Sequence, residues 1–212
     1  KMFGYTRENK DKYWEEIRHN FSNKYQFEID LILVDLKKNN PEKIQWLNKL
    51  IESETTIEKK NKLMLRLGNI FNGNPNDEIY DCKKAAYIYQ VLLKQELQDK
   101  LKFKVLERLA CVYSNGDESI KDLSEAQNIY EKILANKDKA PSWVYQNALN
   151  GIININANSD DPEKKIKAYE LAMEIWENQS LGEPRYHVMS YLLQLLQYGP
   201  EKIKNPQKAY EL

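Results

Sequence analysis

The stretch Asp122-Leu123-Ser124-Glu125-Ala126-Gln127-Asn128-Ile129-Tyr130 decides the fold, because relatives of it recur along the chain. With Ala126 as anchor, a charged residue followed by alanine returns at Lys84-Ala85, Lys167-Ala168 and Lys208-Ala209, the alanines standing 41, 42 and 41 residues apart. A period of that length marks arrays in which one helical unit cannot bury its apolar face alone and stacks on the next. Asp81, Asp122 and Asn205 stand four residues before their anchors, where a short acceptor side chain caps the exposed amides of a helix. The third unit departs: Lys164 takes that position and Asp161 lies seven before Ala168. An extra first turn is predicted there.

Outward from the anchors, each unit carries a first helix. The first runs from Thr56 to Phe71 through Leu63, Leu67 and Gly68, and the second from Leu101 to Tyr113. They align at an offset of 42, with Leu67, Gly68 and Phe71 on Leu109, Ala110 and Tyr113. Gly73 and Gly116 follow in the loops. The third begins near Ser142 and carries Trp143, Ala148, Ile152 and Ile153, and the fourth spans Tyr186 to Leu196. Helix axes sit about 8–10 Å apart, so close pairing asks for small residues at the crossing. Gly68, Ala110 and the anchor alanines provide them, and Leu67, Leu109, Tyr89 and Tyr130 fill the space beside.

Upstream, Tyr25 to Leu36 reads as a buried helix in preference to a strand, and Asn40-Pro41-Glu42 as N-cap, first-turn proline and first-turn acid. Ile44, Leu47, Leu50 and Ile51 then continue at helical spacing. Phe3, Tyr5, Tyr13, Trp14 and Ile17 are expected to cap the array from a helix over residues 9–21. Residues 1–55 are thus an N-terminal cap and degenerate repeat, and residues 56–212 a repeat array whose last unit is truncated. The class is all-α.

Lys and Arg number 32, as do Asp and Glu, so no global field draws in nucleic acid or an anionic membrane. Seven glycines and seven prolines in 212 residues fit a helix-rich chain with few tight turns. Cys82 and Cys111 are expected to be thiols. No apolar run is long enough for a membrane span. The opening at Lys1 and the break after Leu212 read as a trimmed piece, with an exported protein that has lost its signal favoured over a cytoplasmic one.

A small residue in the first helix, an aromatic three later, glycine in the loop and then Asp-x-x-charged-Ala resembles the Sel-one-like repeat branch of the tetratricopeptide superfamily. The likeness covers residues 60–212. It implies a right-handed superhelical α/α solenoid of antiparallel helix pairs, whose concave face, lined by the first helices, holds a protein or peptide partner. Carried onto this sequence, the groove positions are Asn69 and Asn72, then Lys104, Glu107, Cys111 and Ser114, then Tyr145, Asn147 and Asn154. The resemblance also implies an adaptor role, and some bacterial members act as immunity proteins against toxins. A lysine-, asparagine-, isoleucine- and tyrosine-rich composition suits an AT-rich bacterial genome.

Catalysis finds little support. Glu15 with His19 and Glu183 with His187 have one-turn spacing, but neither forms a His-Glu-x-x-His metal signature. Neither a glycine-rich phosphate loop nor a nucleophile elbow is present. The lysine clusters 59–60, 100–104 and 164–165 read as solvated helix faces. The expectation is therefore a non-enzymatic binding module without cofactor or metal. A regulatory or substrate-binding segment of a larger enzyme is the alternative.

Overall fold

The computed structural model describes Lys12, Glu16 and residues 25–37, 40–177 and 185–211. The aromatic cluster from Phe3 to Ile17, the Glu15/His19 pair, Glu183 and the His187 side chain lie outside the described residues. Every regular element among the described residues is an α-helix. In chain order they are α1 (Gln26–Leu36), α2 (Asn40–Ser53), α3 (Ile57–Phe71), α4 (Cys82–Leu93), α5 (Asp99–Asn115), α6 (Leu123–Leu134), α7 (Ser142–Ala157), α8 (Pro162–Glu177), α9 (Arg185–Tyr198) and α10 (Pro206–Glu211). The chain divides into two compact units, residues 1–97 and 98–212. The division falls within the stretch read as one repeat array.

In the first unit α1 to α4 pack in sequence, each on the one before. Phe27, Val34, Leu47, Leu50 and Leu63 form its core. Phe27 to Val34 is helical, as its burial pattern predicts, although β-branched residues crowd it. At α2 the expected cap shifts: the helix starts at Asn40 itself, whose side chain donates to Asp77 Oδ2 at 3.3 Å. Asn40 thereby ties α2 to the loop after α3.

In the second unit α5 to α10 also pack consecutively, and in addition α7 lies against both α5 and α9. Its main core joins Leu149 and Ile153 of α7, Ile166, Ala172 and Ile175 of α8, and Val188, Leu192 and Leu195 of α9. The anchors Ala85, Ala126, Ala168 and Ala209 are all buried.

The caps follow the sequence closely. Asp81 Oδ1 accepts from the Lys84 amide at 2.9 Å, Asp122 Oδ1 from Glu125 at 2.9 Å and Asn205 Oδ1 from Lys208 at 3.0 Å. Asp161 accepts from Glu163, and α8 begins at Pro162, six residues before its anchor, where α6 begins three before. The extra turn is present. A feature not read from the sequence joins three of the pairs: the amides of Asp81, Asp122 and Asn205 donate to the carbonyls of Phe71, Tyr113 and Leu196 at 2.8–2.9 Å, whereas the Asp161 amide donates to Ser159 Oγ. One residue thus satisfies an amide of the helix it opens and a terminal carbonyl of the helix before it.

Asp122→Ala is expected to cost about 1 kcal/mol, the usual loss for a capping acceptor, with Asp122→Asn close to wild type in urea unfolding. At Asp81 the bond from the Lys84 amide, aided by the Lys84 charge, holds the carboxyl below its ordinary pKa against a smaller opposing effect of burial. A depressed folded pKa means a contribution present above the unfolded pKa and lost as pH falls through the folded one. Asp81→Asn should therefore lose less stability than wild type when pH is lowered from about 5 to 2, measured by thermal unfolding at each pH.

Candidate functional site

In the second unit α5, α7 and α9 lie side by side, so their outward faces form one surface. A cleft of about 360 Å³ opens on it, lined by Glu107, Arg108, Cys111, Ser114 and Asn115 of α5, by Asn147, Asn150, Gly151 and Asn154 of α7, by Tyr191 of α9 and by Tyr130 from α6 beneath. Residues at 107, 111 and 114 share a helix face, as do 147, 150, 151 and 154. Two polar stripes thus meet across the gap.

Gly151 sets the depth of the cleft. A Cβ there would overlap the Tyr130 ring, so the absence of a side chain lets the ring lie flat against α7. The Tyr130 hydroxyl sits 3.4 Å from Ser114 Oγ. Burial pushes its pKa up, partly opposed by that hydrogen bond and reinforced by Cys111 and Glu107. Tyr130 is consequently a neutral floor.

Glu107 forms one wall and is 4 % exposed. Its Oε1 accepts from Asn147 Nδ2 at 2.9 Å, joining α5 to α7. Its Oε2 is buried without a hydrogen bond, and the neighbouring Arg108 Nε stands 3.4 Å away. Across the cleft Asn150 Oδ1 is likewise buried without a hydrogen bond. At the other end Asn158 Nδ2 donates to Asn154 Oδ1 at 2.7 Å, and Gln194 Nε2 to Asn158 Oδ1 at 3.4 Å. This chain of amides ties α7 to α9.

Of the nine predicted groove residues, Glu107, Cys111, Ser114, Asn147 and Asn154 line this cleft. Glu107 was read as an accessible groove carboxylate but is a buried brace, so charge reversal there would disrupt packing. Lys104 lies one turn away with its Nζ 5.7 Å from the Trp143 ring centroid, which Arg108 also approaches at 5.9 Å. Tyr145 packs against the hydrophobic core of the second unit. Asn69 and Asn72 belong to the first unit: Asn69 Oδ1 accepts from the Tyr89 hydroxyl at 2.8 Å, and Asn72 ends α3 with its amide on the Gly68 carbonyl. The sequence reading missed Arg108, Asn115, Asn150, Gly151 and Tyr191 as lining, and took Tyr130 for a packing residue only. Asn150, between Asn147 and Asn154 at spacings of three and four, carried a legible signal.

A second cleft of about 410 Å³ shares Ser114 and Asn154 and extends to Lys121, Ser124, Gln127 and Lys164. Lys121 is engaged with Glu118 at 3.7 Å. Cys82 is buried, Cys111 is partly exposed, and neither is in a disulfide. Among the described residues no three His, Cys, Asp or Glu side chains gather as a metal site, and no helix is long and apolar enough to cross a membrane. No family model, curated protein or solved structure matches this chain.

Proposed function

We propose that this protein is a non-enzymatic binding module, its helix pairs acting as tetratricopeptide-like solenoid repeats of the Sel-one-like kind, and that it holds a protein or peptide partner in the cleft of α5, α7 and α9. One observation carries the reading: five residues picked by repeat register, from positions up to 47 apart in sequence, meet in a single polar cleft. A helical repeat array uses such a face because each first helix adds one row of side chains to a shared surface.

The lining also favours a polypeptide. Asparagine amides supply a donor and an acceptor each, which suits main-chain and side-chain amides of an extended segment. The balanced charge of the chain and the single arginine of the lining are ill suited to a polyanion. An adaptor or a toxin-immunity protein is the role in keeping with this chemistry.

The test is selection of peptides from a displayed library on the folded protein, followed by Asn115→Ala with Asn154→Ala. The pair should weaken the selected peptides about tenfold, near 1.4 kcal/mol, with thermal unfolding lowered by no more than a few degrees, since Asn115 is exposed and Asn154, half-buried, gives up the bond from Asn158. Selected peptides that bind the double variant as tightly as wild type would place recognition elsewhere.

A further inference from the structure

Two side-chain oxygens of residues that line the cleft have no hydrogen bond, and they come from opposite walls. Glu107 Oε2 belongs to α5 and Asn150 Oδ1 to α7, and both are shielded from water. Of the nearby donors, Asn147 Nδ2 is taken by Glu107 Oε1, and the Tyr130 hydroxyl is in contact with Ser114 Oγ. Buried acceptors left this way are costly, and native proteins satisfy nearly all of them.

The geometry points to a cationic, donor-rich group as the missing partner: we infer that the cleft takes the guanidinium or ammonium of a basic side chain of the bound polypeptide, seated on Glu107 Oε2 and Asn150 Oδ1. The inference rests on the protein-binding reading above and names the chemistry of its central contact. A carboxylate or phosphate would bring more acceptors to acceptors. An apolar side chain would leave both oxygens unsatisfied. A group with several N–H donors can supply both, and a positive charge adds to it at a buried carboxylate, where charge-assisted bonds are strongest.

Arg108 fits this reading as a resident stand-in. Its Nε lies 3.4 Å from Glu107 Oε2 without forming a hydrogen bond, and its guanidinium also leans over Trp143 at 5.9 Å. It offsets the charge of the carboxylate from the next position on α5. Seating a cation requires Glu107 and Asn150 to turn these oxygens toward the cleft, with Arg108 displaced from Glu107 Oε2.

The experiment uses three capped tripeptides, acetyl-Gly-Arg-Gly-amide, acetyl-Gly-Lys-Gly-amide and acetyl-Gly-citrulline-Gly-amide, titrated into the whole labelled chain and followed by NMR. Citrulline keeps the shape of arginine without its charge. Arginine and lysine peptides should move the side-chain amide signals of Asn147 and Asn150, with citrulline at least tenfold weaker. Glu107→Gln keeps the bond from Asn147 and the packing, and should weaken the arginine peptide at least tenfold; Arg108→Gln should strengthen it severalfold. Citrulline binding at the same signals as tightly as arginine would overturn the cationic inference while leaving a peptide-binding cleft in place. If none of the three moved the cleft signals, the inference would also fall, and the wider reading would stand or fall by the peptide selection alone.

Discussion

Tyr89→Ala is expected to destabilise the unit of residues 1–97 by about 3–5 kcal/mol, the range for deleting a large aromatic from a packed core. Tyr89 is 0 % exposed and its ring lies so close to α3 that a Cβ on Gly68 would stand 2.6 Å from Cε1. Removing the ring leaves a cavity that cannot close, because the backbone around Gly68 is fixed by the α3 ladder on one side and the bond from Asp81 to Phe71 on the other. The hydroxyl is a separate and smaller part. Tyr89→Phe loses the bond to Asn69 and should cost about 1 kcal/mol. Amide hydrogen exchange along α3 and α4 resolves this unit from the other, which a single global transition would not. A loss below about 1 kcal/mol for the alanine variant would contradict the packing described.

Gly151→Val should lower the stability of the second unit by about 2–3 kcal/mol, at the upper end of the range for an overpacked core. The added methyls would enter the Tyr130 ring, and the ring is held in turn by Ser114. Gly151→Ala is the milder case. It gains up to about 1 kcal/mol of helix propensity and still overlaps the ring, so a smaller net loss is expected. Combining Gly151→Ala with Tyr130→Leu relieves the overlap, and the two changes should be non-additive by about 1 kcal/mol or more in a double-mutant cycle. Additive losses would mean that the ring and the glycine do not meet.

The elements were legible because their signals are local. Asp122, Ala126 and Tyr130 lie within nine residues, and cap, crossing and filler each act over about two turns of helix. Even the exception was readable: Asp161 standing further from Ala168 announced the longer start of α8. What the sequence hid was what happens between elements. Register put Asn69 on the groove face but could not show that its oxygen accepts from the Tyr89 hydroxyl, 20 residues on. Glu107 looked solvated, yet Asn147, 40 residues away, encloses and binds it. A helix period says which residues share a face. It does not say whether a neighbouring helix covers that face.

Gly151 illustrates the same limit from the other side. It stands 41 residues after Ala110, a spacing the sequence reading did not use, and its partner is Tyr130 of the preceding helix. In the first unit the corresponding tyrosine, Tyr89, packs on Gly68 of the helix before its own. The same motif thus closes a helix pair in one unit and floors a cleft in the other.

Cys111 offers the most direct measurement of the central claim, that a polypeptide is held in the cleft of α5, α7 and α9. Its thiol lines the cleft, whereas Cys82 is buried at 1 % exposure, so alkylation of the folded protein should occur at Cys111 first. Peptides selected on the native protein are predicted to slow that alkylation at least tenfold at saturation, and to lose binding to protein already carrying a bulky maleimide at Cys111. Selected peptides that leave the alkylation rate unchanged, and bind the modified protein as well as the unmodified one, would contradict the account.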